Sequence, residues 1–136
     1  MENNINEGTK YEYEFSFTQE NVINFANASG DNNPIHLDDD YAATTIFGKR
    51  IIHGLLGASI FSKVFGTLFP GNGTIYLKQD LIFLKPMFIH TKYTARFFVL
   101  SIDKIKNRAT VQTEIMDENG VAVIKGEALI KHHEIK

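Results

Sequence analysis

The 136-residue sequence predicts an α+β fold: a curled antiparallel sheet of about five strands wrapped around a long central helix. Three observations predict it. Apolar and polar residues alternate over 10–17 and in several segments of the C-terminal half, which is strand spacing. Between them, 53–69 is apolar on nearly every face, as a buried helix is. Strands gathered after helices, rather than alternating with them, point to α+β and not α/β.

The elements follow in chain order. Tyr11, Tyr13, Phe15 and Phe17 alternate with Lys10, Glu12, Glu14 and Ser16, giving a first strand. Thr18 stands where an N-cap is wanted, and Val22, Phe25 and Ala26 follow at helical spacing until Gly30 stops the helix. Asp31 to His36 reads as a loop, because Pro34 keeps Asn33 out of the helical region. Asp38, Asp39 and Asp40 open a short helix reaching about Thr45, where acids suit the positive end of the helix dipole. The central helix follows, with Gly54, Gly57 and Ala58 near its start allowing close approach of other backbone. Pro70-Gly71-Asn72-Gly73 is a turn. Four strands follow as an antiparallel meander: 75–83, 92–101, 109–115 and 121–131, with a hairpin turn at Asp117-Glu118-Asn119-Gly120. One buried helix inside such a sheet is the shape of a single hotdog domain covering 1–136. Its open edge and apolar patch call for a second copy, so a homodimer is expected.

Composition narrows the function classes. No cysteine is present, so disulfides, thiolate metal sites and a cysteine nucleophile are out. Fourteen basic against sixteen acidic residues speak against a nucleic-acid partner. The polar start, Met1 to Glu7, does not resemble a signal peptide, and the apolar stretch 51–70 carries His53, Lys63 and several breakers. A cytoplasmic protein without membrane association is expected. His132 and His133 have no further ligand at metal-site spacing; both read as exposed, and no metal is expected.

Two short constellations can carry chemistry. Asp31 and His36 lie five residues apart on one loop, a carboxylate with a group that exchanges protons near neutral pH. Such a pair can take a proton from water and deliver one to carbon. Spacing alone favours a plain turn, with Asp31 capping local N–H groups and Asn33-Pro34 setting the bend. The second is Ile51-Ile52-His53-Gly54 at the head of the central helix. Free N–H groups there could polarise a thioester carbonyl, although Gly54 alone reads more readily as a packing glycine. His53 either meets the substrate or hydrogen-bonds backbone to fix the loop before the helix. Ser59 and Ser62 lie within the helix without a Gly-x-Ser-x-Gly elbow, so a serine hydrolase is not indicated.

Taken together these motifs resemble the MaoC-like (R)-specific enoyl-CoA hydratase family from about Gly8 to Lys131. The resemblance rests on Asp31-Asn32-Asn33-Pro34-Ile35-His36-Leu37-Asp38, then Tyr41-Ala42-Ala43-Thr44-Thr45 and Phe47, then Ile51-Ile52-His53-Gly54. Ala58-Ser59, Phe61-Ser62, Gly73-Thr74-Ile75-Tyr76-Leu77 and Gly126-Glu127-Ala128 complete it. It implies reversible syn hydration of a trans-2-enoyl-CoA to the (R)-3-hydroxyacyl-CoA, as in precursor supply for polyhydroxyalkanoate. Asp31 and His36 would activate the water, and the Gly54 N–H would polarise the thioester. Asn33, His53, Ser62 and Phe65 are the candidate substrate-contacting residues, with Ser62 orienting the loop or lining the acyl pocket. No cofactor is implied, since CoA arrives as part of the acyl thioester.

Phe61, Phe65 and Phe69 share one face of the central helix. If they line the acyl channel they shorten it, which would favour chains of about four to six carbons; the other reading is that all three are core. Three other functions compete. A hotdog acyl-CoA thioesterase would be expected to carry an acid on the central helix, and none occurs from Gly54 to Phe69. A 3-hydroxyacyl-ACP dehydratase would use the same chemistry. A non-catalytic acyl-CoA binder would have lost the pair that is present here.

Overall fold

The computed structural model describes residues 5–135; Met1–Asn4 of the polar start, and Lys136, lie outside the described residues. Strand β1 (Lys10–Phe15) leads into α1 (Gln19–Ser29), the short α2 (Pro34–Leu37) and α3 (Asp39–Ala43), and the long α4 (Gly54–Thr67). Strands β2 (Ile75–Gln79), β3 (Ile82–Phe83), β4 (Tyr93–Asp103), β5 (Arg108–Met116) and β6 (Ala122–Lys131) follow. They form one open antiparallel sheet in the order β1-β4-β5-β6-β2, with β3 also paired to β6.

Two features differ from expectation. The sheet has six strands rather than about five, because the segment 75–83 divides at Asp80. There the Asp80 N–H still bonds the Glu127 carbonyl (3.0 Å), but its carboxylate, not its backbone, accepts from the Glu127 N–H (3.0 Å). The Asp80 carbonyl turns instead onto Gly126, only 1.8 Å from where a Cβ would stand. The four C-terminal segments are also not a simple meander. β4, β5 and β6 are, but β2 pairs with β6, at the opposite edge from β1. The chain before the helices and the chain after α4 therefore form the two edges, so the intervening segment must cross from one side of the sheet to the other.

The core fills the space between α4 and the sheet. Phe61 and Phe65 meet Phe97 edge-on at 5.8 and 5.2 Å, Phe65 meets Tyr76 at 5.3 Å, and Phe69 stacks on Tyr11 at 4.9 Å. Val99, Val111, Ile115, Ile124 and Ile130 are fully buried across β4 to β6. Register shifts between Tyr76 and Lys78, Val99 and Ser101, and Ile115 and Met116 mark bulges, which help a sheet curl. α4 is not buried all round as expected: Leu55, Ser59, Ser62 and Lys63 form an exposed stripe at helical spacing.

Local signals explain α1 and α2. The Thr18 hydroxyl accepts from the Asn21 N–H (3.2 Å) while the Asn21 side chain accepts from the Thr18 N–H (2.9 Å), a reciprocal cap. Gly30 closes α1 at φ 79, a conformation that suits glycine. The expected loop 31–36 contains a helical turn from Pro34, because proline fits the first helical position and the Asn33 side chain caps Ile35 (3.2 Å). His132, expected at the surface, is 3% exposed. Its Nε2 donates to the Asn72 carbonyl (2.8 Å), and Nδ1 accepts from the Glu134 N–H (3.1 Å). This ties the chain after β6 to the turn after α4; His133 is exposed as expected.

Candidate active site

A cavity of about 450 Å³ opens where the Gly30–His36 segment meets the head of α4. Asp31, His36, His53 and Gly54 line it, with Phe83, Met87 and Ile124 among its apolar walls. The chain reaches this arrangement step by step. After Gly30 reverses the backbone, the Asp31 N–H donates to the Ser29 hydroxyl (3.1 Å). The Asp31 carboxylate accepts from the Asn33 N–H (3.3 Å), an Asx turn that delivers the chain into α2. One turn of α2 then buries His36 while Asp31 stays exposed.

His36 is held on three sides. Its Nδ1 donates to the Ile51 carbonyl (2.8 Å), since a carbonyl can only accept. Gln19 Nε2, from α1, donates to the His36 carbonyl (3.1 Å). Its ring stacks on His53 with centroids 3.8 Å apart. Burial pushes the His36 pKa below its ordinary value of 6.5; the Ile51 carbonyl opposes this, the neighbouring His53 adds to it, and the Asp31 carboxylate opposes it. The shift favours the neutral imidazole at pH 7. With the proton on Nδ1, the Nε2 lone pair is the free base.

An Asp31 carboxylate oxygen, a ring nitrogen of His36 and a ring nitrogen of His53 all lie within 4.8 Å of one another. One water spans such a separation with two ordinary hydrogen bonds. These are also the described residues that could hold a metal ion, though each imidazole already commits one nitrogen to a carbonyl. Gly54, which lines the same cavity, is the first residue of α4, and its N–H has no acceptor within the helix. A Cβ at Gly54 would stand 2.7 Å from the Phe83 ring, and one at Gly57 2.6 Å from the Met87 sulfur. The two glycines thus let 83–87 close against the helix. The Ile52 N–H donates to the Met87 carbonyl (2.8 Å), which ties the same segment to the chain before His53.

The structure therefore brings Asp31, His36, His53 and Gly54 to one cavity. It does not bring the other candidates there. Asn33 is the exposed cap of α2. Ser62 is exposed on α4, outside the cavity. Phe65 lies in the core with Phe61 and Phe69, and none of the three lines the cavity, so the expected shortening of the acyl channel loses its basis. Gln19, Phe83 and Met87 escaped the sequence reading. Gln19 had no signal, being an ordinary first-turn residue. The glycines at 54 and 57 hinted at a close neighbour without saying which.

A family model described as "MaoC like domain" matches residues 1–120. The chain is 41% identical over 124 residues to the (R)-specific enoyl-CoA hydratase of Aeromonas caviae, spanning 91% of this chain and 92% of that enzyme. It is 38% identical over 126 residues to the (R)-specific enoyl-CoA hydratase of Rhodospirillum rubrum, spanning 93% and 87%. A solved structure of the (R)-hydratase from A. caviae involved in PHA biosynthesis superposes with a TM-score of 0.90 at 40% identity, covering 93% of this chain and 96% of that one.

Proposed function

The chain belongs to the MaoC-like domain family, and from that premise we propose that it is an (R)-specific enoyl-CoA hydratase. It adds water reversibly, in the syn sense, to a trans-2-enoyl-CoA and forms the (R)-3-hydroxyacyl-CoA. The observation that carries this reading is the His36 imidazole. Its Nδ1 is locked on Ile51 and its Nε2 lone pair is free, in a cavity that Asp31 and the Gly54 helix end also line.

The reaction follows from this geometry. A water held between the Asp31 carboxylate and His36 gives up a proton as its oxygen attacks C3. Charge moves to the thioester oxygen, where the Gly54 N–H and the partial positive charge of the α4 N-terminus stabilise it. A proton then returns to C2. With one close-set pair both holding the water and returning the proton, the proton and hydroxyl are delivered to the same face, which is syn addition. The apolar walls at Phe83, Met87 and Ile124 take the acyl chain. No cofactor enters this scheme, and CoA is carried by the substrate.

The working form is a homodimer. β2 stands at an edge of the sheet, and Leu55, Ile75, Leu77, Ile82 and Leu84 are exposed on or next to it. A second copy would cover that patch and the open edge. Among the described residues no helix is long and apolar enough to cross a membrane, in keeping with a cytoplasmic place.

Crotonyl-CoA tests the function. Loss of the conjugated enoyl absorbance, with chiral analysis of the product, should show (R)-3-hydroxybutyryl-CoA. Asp31→Asn and His36→Gln should each lower kcat by at least about 10²-fold while the fold survives. Near-full rate in either variant, or an (S) product, overturns the assignment.

A further inference from the structure

His53 lies 2% exposed between two rings, stacked on His36 at 3.8 Å and tilted against Phe25 at 4.8 Å. It makes one side-chain hydrogen bond, from Nε2 to the backbone carbonyl of Asp31 (3.0 Å). Its Nδ1 is buried without a partner, and it gives no side-chain cap to α4 although it is the N-cap residue. Leaving a buried polar atom unpaired costs about 1–3 kcal/mol, so the ring does not serve the helix start well. A leucine or phenylalanine would fill the space without that penalty. What only a donor supplies is the bond to Asp31.

We propose that His53 is a positioning residue of the hydration reaction: its Nε2–H fixes the Asp31 backbone, and hence where the Asp31 carboxylate stands relative to the free Nε2 of His36. The logic is one of placement. Asp31 is exposed at the start of a loop, and its own carboxylate is bonded only to the N–H two residues on. Among the described residues no other hydrogen bond of Asp31 reaches the start of α4. The residue before Gly54 thus ties the water-holding loop to the helix end that polarises the carbonyl. Both halves of the site are then referenced to one rigid element, and the distance between water and C3 is set. This assigns His53 a role through Asp31 rather than a contact with substrate.

The proposal rests on Asp31 and His36 being the water-activating pair, and the test separates the two claims. The wild-type protein is assayed first with crotonyl-CoA; no hydration there sinks the function itself. Given an active wild type, His53→Phe keeps the ring between His36 and Phe25 and removes only the donor. We expect kcat to fall by roughly tenfold to hundredfold, as small misplacements of reacting groups do, with KM within about twofold. His53→Gln, whose amide can reach the Asp31 carbonyl, should recover kcat to within about threefold of wild type. In an Asp31→Asn background, His53→Phe should cost less than about twofold more, because the group it positions is already gone. If His53→Phe does not fold, His53→Asn, with a shorter amide, is compared with His53→Gln in its place. A raised KM at unchanged kcat would make His53 a substrate contact. Additive losses with Asp31→Asn, or no rescue by glutamine, would make it a packing residue. Either result overturns the proposal.

Discussion

Gly54→Ala separates what the helix needs from what the reaction needs. A Cβ at this position would lie 2.7 Å from Phe83 Cε1, 2.8 Å from Cδ1 and 3.3 Å from Cζ. Ordinary carbon contacts sit at about 3.5–4.0 Å, so the ring must retreat by about 1 Å. It has somewhere to go, because Phe83 is 49% exposed. The helix itself gains from alanine, by at most about 1 kcal/mol relative to glycine and less at a first position. Stability should therefore stay within about 1 kcal/mol, a few degrees in melting temperature for a domain of this size. Activity should not. The methyl group enters beside the N–H proposed to meet the thioester oxygen, and misplacement by about 1 Å can cost 10²-fold. Complete loss of one such donor costs about 10²–10³-fold, which sets the ceiling. We expect kcat/KM for crotonyl-CoA hydration to drop by about 10²-fold with a melting temperature within a few degrees of the wild type's. A variant that keeps kcat/KM within threefold of wild type would refute the placement of the carbonyl at this helix end.

Four further outcomes are expected. Because burial lowers the His36 pKa below 6.5, the acidic limb of kcat/KM for hydration should fall below pH 6.5 and vanish in His36→Gln. The same depression means that the unfolded chain binds the proton more readily, so stability is lost as pH falls from 6.5 towards the folded-state pKa; urea titrations across pH 5–7 should show the slope reduced in His36→Gln. Gly126→Ala would drive a Cβ to 1.8 Å from the carbonyl of Asp80, a residue held to Glu127 through its backbone N–H and its carboxylate. A loss of about 3 kcal/mol, roughly 10 °C in melting temperature, should follow, and a melting curve like the wild type's would show that β2 and β3 can shift away. Met87→Ala should open the cavity beneath Gly57 and move the chain-length optimum upward, read as kcat/KM for octenoyl-CoA relative to crotonyl-CoA. An unchanged ratio would place the end of the acyl channel elsewhere.

Much of the fold was legible because its signals are local. The Thr18 cap, the Gly30 stop and the Asn-Gly hairpin each depend on residues a few positions apart. The alternation in β4 and β5 is local too: β5 buries every second residue, and β4 does so from Tyr93 to Val99, where a bulge ends the pattern. What failed was non-local. Nothing within 75–83 says that β2 will pair with β6 rather than β4, or that Asp80 will turn its carbonyl onto Gly126, since both depend on a strand some 45 residues away.

The same division runs through the site. The sequence by itself determined the chemical groups and part of their placement: a carboxylate and an imidazole five residues apart on a proline-set turn, and a glycine at the head of an apolar helix. Which tautomer His36 adopts, which nitrogen remains free and what holds the ring were decided only by tertiary structure, through Ile51, Gln19 and His53 from three other segments. Helical spacing put Phe65 and Ser62 on the central helix but not on a side of it. The curl of the sheet sent Phe65 into the core and left Ser62 in the open, because a helix seated on a concave sheet has one face to bury and one that it does not.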